Sequence, residues 1–414
     1  MKLVLVYPMW PETFPAEDRL SSGLTQLGLR YLLANLPSHV EWTLLDCRKM
    51  NRKQFADALR AANPDTVGFY CATYLLEAAR EAARIASEVV PNARRIVGGI
   101  HVSVAPEDFA DDLLWHLGFV GQAEMTLAQY CDEPDKYRDR RLLVADEGKQ
   151  GPLIYPDLLQ HPYRFPGESE PTLVPDLPQP GHSIMIARGC PYRCKFCAPS
   201  EAIHFGVKIR CRSVANVMQE VEQLRSRPPG LGTLLIHDDC FSHNPKYVEQ
   251  FCDAIKDMGI AWTCQCAVRD VVKSPHLPEI MAKAGCKVVV IGFESGSDRI
   301  LALMDKGVTG EDGTTAAMLF HEAQIKIWGN YILGLPTETR VDMLKTEEFL
   351  RMALVDYRSP AVFTPHPGSY WGEEFCADRI GTTTESGERY AAGAKVTWQD
   401  PALINEFIHR CQNP

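Results

Sequence analysis

The first 130 residues alternate short apolar runs with stretches of helical spacing. Leu3-Val4-Leu5-Val6-Tyr7 reads as a short buried strand. From Thr25 to Leu36, leucines 29, 32, 33 and 36 recur at i, i+3, i+4 and i+7, the spacing of one helix face. Val40–Leu45, Thr66–Tyr70, Arg95–Val97 and Leu117–Val120 read as further strands, and Asn51–Ala62 and the Ala-rich Leu76–Val90 as helices. Short strands alternating with helices predict an α/β fold with a parallel, Rossmann-like doubly wound sheet over residues 1–149. Ligands of such sheets bind beyond the carboxyl ends of the strands.

Residues 150–182 carry eight prolines, at 152, 156, 162, 166, 171, 175, 178 and 180, and read as a crossover linker. A second alternating series begins there and defines a domain over 183–368. Its predicted strands are Ser183–Ala187, Thr233–His237, Trp262–Val268, Lys287–Phe293, Lys326–Leu333 and Ala361–Thr364. Helices at Val214–Ser226, Pro245–Met258, Leu277–Ala284 and Thr337–Ala353 fill the intervals. Six β/α units suggest a partial barrel with its function at the carboxyl ends of the strands. Residues 369–414 form a C-terminal extension that is rich in aromatic residues, including Tyr370, Trp371, Tyr390, Trp398 and Phe407.

Composition narrows the classes. With 414 residues, 45% hydrophobic and 23% charged, the chain is globular and not disordered. No apolar run approaches the roughly 18–20 residues of a membrane span. Pro8, Pro11 and Glu12 interrupt the apolar start too early for a secretory signal, so a cytoplasmic location is expected. A net charge of −10 offers no electrostatic reason for a nucleic-acid partner. Fourteen cysteines in such a chain point to reduced thiols and a metal site, not to a disulfide scaffold.

The most informative segment is Arg188-Gly189-Cys190-Pro191-Tyr192-Arg193-Cys194-Lys195-Phe196-Cys197. A loop just after the first strand of the second series can turn three thiolates toward one point. Soft thiolates suit an iron–sulfur cluster or zinc. A closed zinc site wants a fourth ligand, for which only His204 and Cys211 offer themselves. A cubane held by three cysteines leaves one iron open. Cys264 and Cys266 form a C-x-C that shares one strand face and reads as buried packing. Cys240, after the acidic pair, also reads as packing.

The triplet, with an aromatic residue before its last cysteine, resembles the radical S-adenosylmethionine (SAM) enzymes. The similarity extends through His237-Asp238-Asp239, Arg269-Asp270, Gly292-Phe293-Glu294-Ser295-Gly296 and Gly329-Asn330-Tyr331-Ile332-Leu333-Gly334-Leu335-Pro336, each at a predicted strand end. The resemblance implies that Cys190, Cys194 and Cys197 hold a 4Fe-4S cluster whose open iron binds SAM. It implies further that Phe196 and the Leu333 backbone lie near adenine and that Glu294 binds the ribose hydroxyls or the amino group. Asp238 or Asp239 would take the ammonium, and Arg269 the carboxylate as a bidentate fork. No residue is singled out as acting on the substrate.

The doubly wound domain ahead of this core resembles the B12-binding radical SAM subfamily. The residues that carry this are Tyr7-Pro8, Val97-Gly98-Gly99-Ile100-His101 and Gly121-Gln122-Ala123-Glu124, the last departing from the family's usual Gly-Glu-Gly-Glu. Tyr7, Gly98, Gly99 and Gly121 would border cobalamin, with the glycines letting the backbone approach it closely. The Asp-x-His-x-x-Gly signature of a cobalt-ligating histidine is absent from the sequence. His101 reads as packing.

The resemblance implies an enzyme that cleaves SAM to a 5′-deoxyadenosyl radical and methylates an unactivated carbon with cobalamin. The alternative is a cobalamin-independent radical enzyme, for example one that rearranges its substrate or transfers the aminocarboxypropyl group of SAM. The expected partners are a small-molecule or peptide substrate and an electron donor such as flavodoxin or ferredoxin, without nucleic acid or membrane.

Overall fold

The computed structural model describes residues 1–9, 26–145, 157, 159–172, 174, 176–197, 209–352, 354–376 and 401–412. Thr25, His204, Tyr390, Trp398, the start of the proline-rich stretch and most of the C-terminal extension lie outside the described residues. Two compact units are present. The first holds residues 1–164 and the stretch that begins at Pro365; the second holds Phe165–Cys197, the chain up to Thr364, and the last helix.

The first unit is built on six parallel strands: β1 (Lys2–Tyr7), β2 (Glu41–Asp46), β3 (Thr66–Tyr70), β4 (Arg94–Gly98), β5 (Leu117–Val120) and β6 (Leu142–Val144), in the order β2-β1-β3-β4-β5-β6. Burial on both faces explains the unbroken apolar run Leu3–Val6. Helix Arg52–Ala62 starts where Asn51 and Gln54 form a reciprocal capping box. β6 is absent from the sequence reading because three residues carry no readable alternation. The direction of winding reverses between β1 and β3, and such a switch point opens a ligand crevice at the carboxyl edge.

The second unit is also a six-stranded parallel sheet. Its strands are β7 (Gly181–Ile184), β10 (Thr233–Ile236), β11 (Ala261–Cys266), β12 (Cys286–Glu294), β13 (Lys326–Leu333) and β14 (Tyr357–Val362), paired in chain order. The first and last strands are not paired, so the barrel is open, a (β/α)6 arrangement. A short antiparallel pair, β8 (Ala187–Arg188) and β9 (Arg210–Cys211), flanks the cysteine loop.

Several boundaries shift by one to three residues from the sequence reading, and two differences have a clear physical reason. β14 begins four residues earlier than Ala361 because it is an edge strand, half exposed, where polar residues and Pro360 are tolerated. β11 stops at Cys266, and Val268–Lys273 is helical, so Arg269 sits on a helix and not on a strand extension. Cys264 and Cys266 remain buried beside Trp262, Phe251 and Met281, as packing residues.

Candidate cofactor site

The cysteine loop is fastened at several points. Gly189, at φ +102, turns the chain out of β8 into Cys190, a left-handed position that glycine takes without strain. The Cys197 amide donates to the Cys194 carbonyl at 3.1 Å, and the Lys195 amide donates to the Met304 carbonyl at 2.9 Å. Between Cys190 and Cys194, the Tyr192 hydroxyl donates to Asp270 Oδ1. The other Asp270 oxygen accepts from Cys240 Sγ and Ser242 Oγ, both at 3.1 Å. The Arg269 guanidinium lies 4.7 Å from the centre of the Tyr192 ring and donates to the Lys306 carbonyl at 2.7 Å.

The thiols act on one another. Cys197 is open to solvent on one side, yet burial by the surrounding protein, followed by Cys194 and Cys190, pushes its thiol up to about 12. Burial also raises Cys194, against the Lys306 and Arg269 cations. Among the described residues, no three His, Cys, Asp or Glu side chains are gathered around a point that would hold one ion. A multi-iron cluster takes one thiolate at each of several corners. Three soft thiols on one loop offer that donor set.

Glu294 ends β12 in the left-handed region, at φ +66, and the β12–β13 register shifts between Gly292 and Glu294. A non-glycine residue held there stores roughly 1–3 kcal/mol of strain, a feature that concentrates at functional sites. Its Oε1 accepts from Lys306 Nζ at 2.7 Å, and both side chains are largely buried. A Cβ at Gly292 would meet the Glu294 carboxylate and the Lys306 ammonium, so a larger residue there would displace the ends of these two side chains. The same ammonium stands 5.6 Å from the centre of the Phe196 ring. Burial disfavours the Lys306 charge, but Glu294, Cys194 and Cys197 outweigh it and hold its pKa above the ordinary value. Lys306 carries no signal in the sequence, twelve residues past Glu294 in a turn.

The acidic pair divides. Asp239 is exposed, and its charge raises the Cys197 thiol. Asp238 is buried; its Oδ1 accepts from the Ile186 amide at 2.7 Å and its Oδ2 has no partner. Burial pushes its carboxyl up to about 7, against hydrogen bonds from the Ala187 and Ile186 amides. Asp238 thus holds the backbone that leads into the cysteine loop. Leu333 is buried at the end of β13, and its carbonyl accepts from the Phe363 amide at 2.8 Å.

In the first unit, Tyr7, Gly98, Gly99 and Gly121 all stand at or just beyond strand carboxyl ends. Tyr7 stacks on Tyr70 at 5.3 Å, and the Arg48 guanidinium lies 5.1 Å from the Tyr7 ring centre. Gly99 has φ +119, and a Cβ there would come within 2.6 Å of the Cys71 carbonyl oxygen. Ser103 ties two of the turns together: its Oγ donates to the Gly99 carbonyl at 3.1 Å and accepts from the Gly121 amide at 2.9 Å. Beside them, both polar atoms of the buried Gln122 side chain lack a partner. His101 is buried, with Nδ1 at 3.1 Å from Thr73 Oγ1 and Nε2 at 3.0 Å from Asp108 Oδ2, so both ring nitrogens are engaged within the unit. These turns stand at the carboxyl edge of the sheet, the side on which ligands of a doubly wound sheet bind, and so fit the border of a large cofactor.

Residues 184–350 match the radical SAM superfamily, and residues 20–130 match the B12 binding domain. An uncharacterized methyltransferase of Pyrococcus horikoshii is 28% identical over 92% of this chain and 84% of its own length. The anaerobic magnesium-protoporphyrin IX monomethyl ester cyclase of Rubrivivax gelatinosus is 25% identical over 77% of this chain; the chain spans 60% of that protein. The structure of the radical SAM methyltransferase TsrM from Kitasatospora setae, with cobalamin and a 4Fe-4S cluster bound, covers 92% of this chain and 79% of its own at 18% identity, with a TM-score of 0.70. The cobalamin-dependent SAM radical enzyme OxsB, with aqua-cobalamin and SAM bound, covers 95% and 56% at 17% identity, with a TM-score of 0.66. At such identities the two structures share the fold with this chain. Among the described residues, no helix is long and apolar enough to cross a membrane.

Proposed function

Because the chain belongs to the radical SAM superfamily and carries a B12 binding domain, we propose that it is a cobalamin-dependent radical SAM methyltransferase acting on an unactivated carbon. The observation that carries this reading is the presence, in one chain, of a fastened three-cysteine loop and of a parallel sheet with glycine turns at its carboxyl edge.

Bound at these places, a 4Fe-4S cluster supplies the electron that cleaves SAM to the 5′-deoxyadenosyl radical, and cobalamin supplies the methyl group. Cys190, Cys194 and Cys197 hold the cluster. Phe196 offers a flat apolar face to adenine, with the Leu333 backbone beside it. Glu294 accepts hydrogen bonds from the ribose hydroxyls or the amino group of SAM. Asp239 offers a second acceptor for the ammonium, while Asp238 holds the loop backbone. Arg269 spends one donor on the Lys306 carbonyl and presents the remaining donors to the SAM carboxylate. Tyr7, Gly98, Gly99 and Gly121 border the corrinoid. The protein's part is orientation and exclusion of water, so that a radical meets one partner only.

A small molecule or an exposed peptide segment is the substrate on this reading, with a flavodoxin or ferredoxin as electron donor. On this reading the protein works in a reducing compartment, the cytoplasm, where cysteine thiols stay reduced. Anaerobic turnover of the reconstituted enzyme tests the proposal. One S-adenosylhomocysteine and one 5′-deoxyadenosine should form per methylated product. Full turnover without cobalamin, or methylthioadenosine in place of S-adenosylhomocysteine, would overturn it in favour of a cobalamin-independent enzyme.

A further inference from the structure

The inner face of the second sheet is left unused by the cofactor assignments. Ile184, Ile236, Cys264, Cys266, Ile327 and Tyr331 pack outward, in one core with Val217 and Phe251 of the surrounding helices. Side chains alternate along a strand, so Ser183, Gln265 and Asn330 point the other way. On that inner side Trp328 and Tyr357 stack at 5.6 Å and, with Val174, Leu177 and Val288, form an apolar floor. Gln265 is level with Val290 and, across β12, with Trp328; Asn330 stands one inward position higher, level with Gly292. Gln265 and Asn330 are half-buried, make no side-chain hydrogen bond within the chain, and keep their polar atoms open.

His237, the first residue past β10, completes this face. It is exposed, and its Nε2 lies 2.9 Å from Ser183 Oγ. Ser183 Oγ in turn stands 2.6 Å from Glu170 Oε2, and both of those residues are buried. A hydroxyl has one proton and a carboxylate only accepts, so Ser183 donates to Glu170 and accepts from Nε2–H. Burial around the ring lowers its pKa, against the pull of Glu170, which favours the neutral imidazole. In that tautomer Nδ1 is an acceptor, and it has no partner within the chain. A buried carboxylate and hydroxyl thus orient a ring that is itself open.

We infer that His237, Gln265 and Asn330 form the recognition face for an uncharged, hydrogen-bonding substrate, whose hydroxyl or amide N–H donates to His237 Nδ1. The inference deepens the enzyme reading above and rests on it. The chemistry of the face decides the class. One acceptor nitrogen and two carboxamides carry no charge. Between the Trp328–Tyr357 floor and Glu294, the inward strand positions hold no charged side chain among the described residues. A carboxylate or phosphate placed here would lose its hydration without meeting a cation, since the Lys306 ammonium is already paired with Glu294.

Matched probes test this on the reconstituted enzyme, before and after SAM is added, without reductant. Benzamide offers a neutral N–H donor; benzoate has the same shape and a negative charge. Ligand-observed saturation-transfer NMR should show benzamide binding about ten-fold more tightly than benzoate, with SAM present or absent. His237→Phe should weaken benzamide about ten-fold, whereas His237→Gln, which keeps an acceptor, should retain most of the affinity. Asn330→Leu serves as the second variant should the phenylalanine fail to fold, with a loss of similar size. Equal binding of the two probes, no binding of benzamide, or unchanged affinity in both His237→Phe and Asn330→Leu overturns the inference. Equal losses in His237→Phe and His237→Gln would remove the acceptor role, and displacement of benzamide by SAM would assign the face to SAM instead. Protein that takes up no iron, or leaves SAM uncleaved on reduction, overturns the enzyme reading itself, and that outcome is read independently of the probes.

Discussion

Lys306 Nζ stands 2.7 Å from Glu294 Oε1, across the end of β12 and beside the loop that carries the three cysteines. The pair is buried enough that neither charge can be removed alone without cost. Breaking such a pair by deleting one partner costs about 3–5 kcal/mol, because the other is left uncompensated. Lys306→Met and Glu294→Gln should each lower the thermal midpoint. The double variant should recover most of the loss, since both charges are gone. SAM affinity should fall about 10- to 100-fold in Glu294→Gln and stay low in the double variant, the loss of a buried charge-assisted hydrogen bond. Calorimetry with SAM, set beside thermal unfolding, separates the two effects; SAM binding restored along with stability would remove Glu294 from the SAM site.

The cluster assignment predicts iron stoichiometry. Anaerobically reconstituted wild type should carry four iron and four sulfide, with the paramagnetic signal of a reduced 4Fe-4S cluster. Cys190→Ala, Cys194→Ala and Cys197→Ala should each abolish reductive SAM cleavage while leaving the far-ultraviolet circular dichroism unchanged. A triple variant that keeps the full signal would exclude these thiols as ligands.

Asp270 gathers donors from Tyr192, Cys240 and Ser242, and so anchors the loop between two of the cysteines. Tyr192→Phe and Asp270→Asn should each release iron faster under a chelator. Their effects should be less than additive, because both remove the same contact. Additive effects in the double-mutant cycle would show that the hydrogen bond is not what fastens the loop.

Asp238 predicts a pH dependence. Its carboxyl is raised to about 7 in the folded state, chiefly by burial, against about 3.9 in an unfolded chain. The folded protein therefore binds the extra proton between these values. The stability it confers is fully present below about pH 4 and is lost as pH rises through 7. Asp238→Asn cannot ionise and should flatten thermal stability over this range, by at most about 1.4 kcal/mol per pH unit. Thermal midpoints measured from pH 5 to pH 8 check this, and an unaltered slope in the variant would assign the effect elsewhere.

Much of the first unit was legible because its strands are buried on both faces. Runs such as Leu3–Val6 must be apolar throughout, and they stand out against helices with one apolar stripe. The ends of β3, β5 and β13 agree with the sequence reading to the residue. β14 was displaced and β6 missed because edge and very short strands need not obey that rule. The proposed roles of Asp238 and Asp239 could not be separated in advance. Adjacent residues at a strand end point to opposite sides, and only packing tells which side is buried.

What the sequence determined by itself was the chemistry of local spacing. Three cysteines within eight residues must lie on one loop, and Gly292 and Gly296 bracket the strand end that carries Glu294. What the tertiary structure alone decided was which distant groups meet that chemistry. Lys306 reaches Glu294, Asp270 reaches Tyr192, and Ser103 joins the Gly99 turn to the Gly121 turn, eighteen residues beyond it. The same is true of the unpaired amide of Gln122, which in the sequence is only a polar residue after a glycine. Hydrophobic periodicity reports which face of an element is buried. It carries no term for the partner that a polar side chain finds once several strand ends have been brought to one edge, and that partner exists only when the chain has folded.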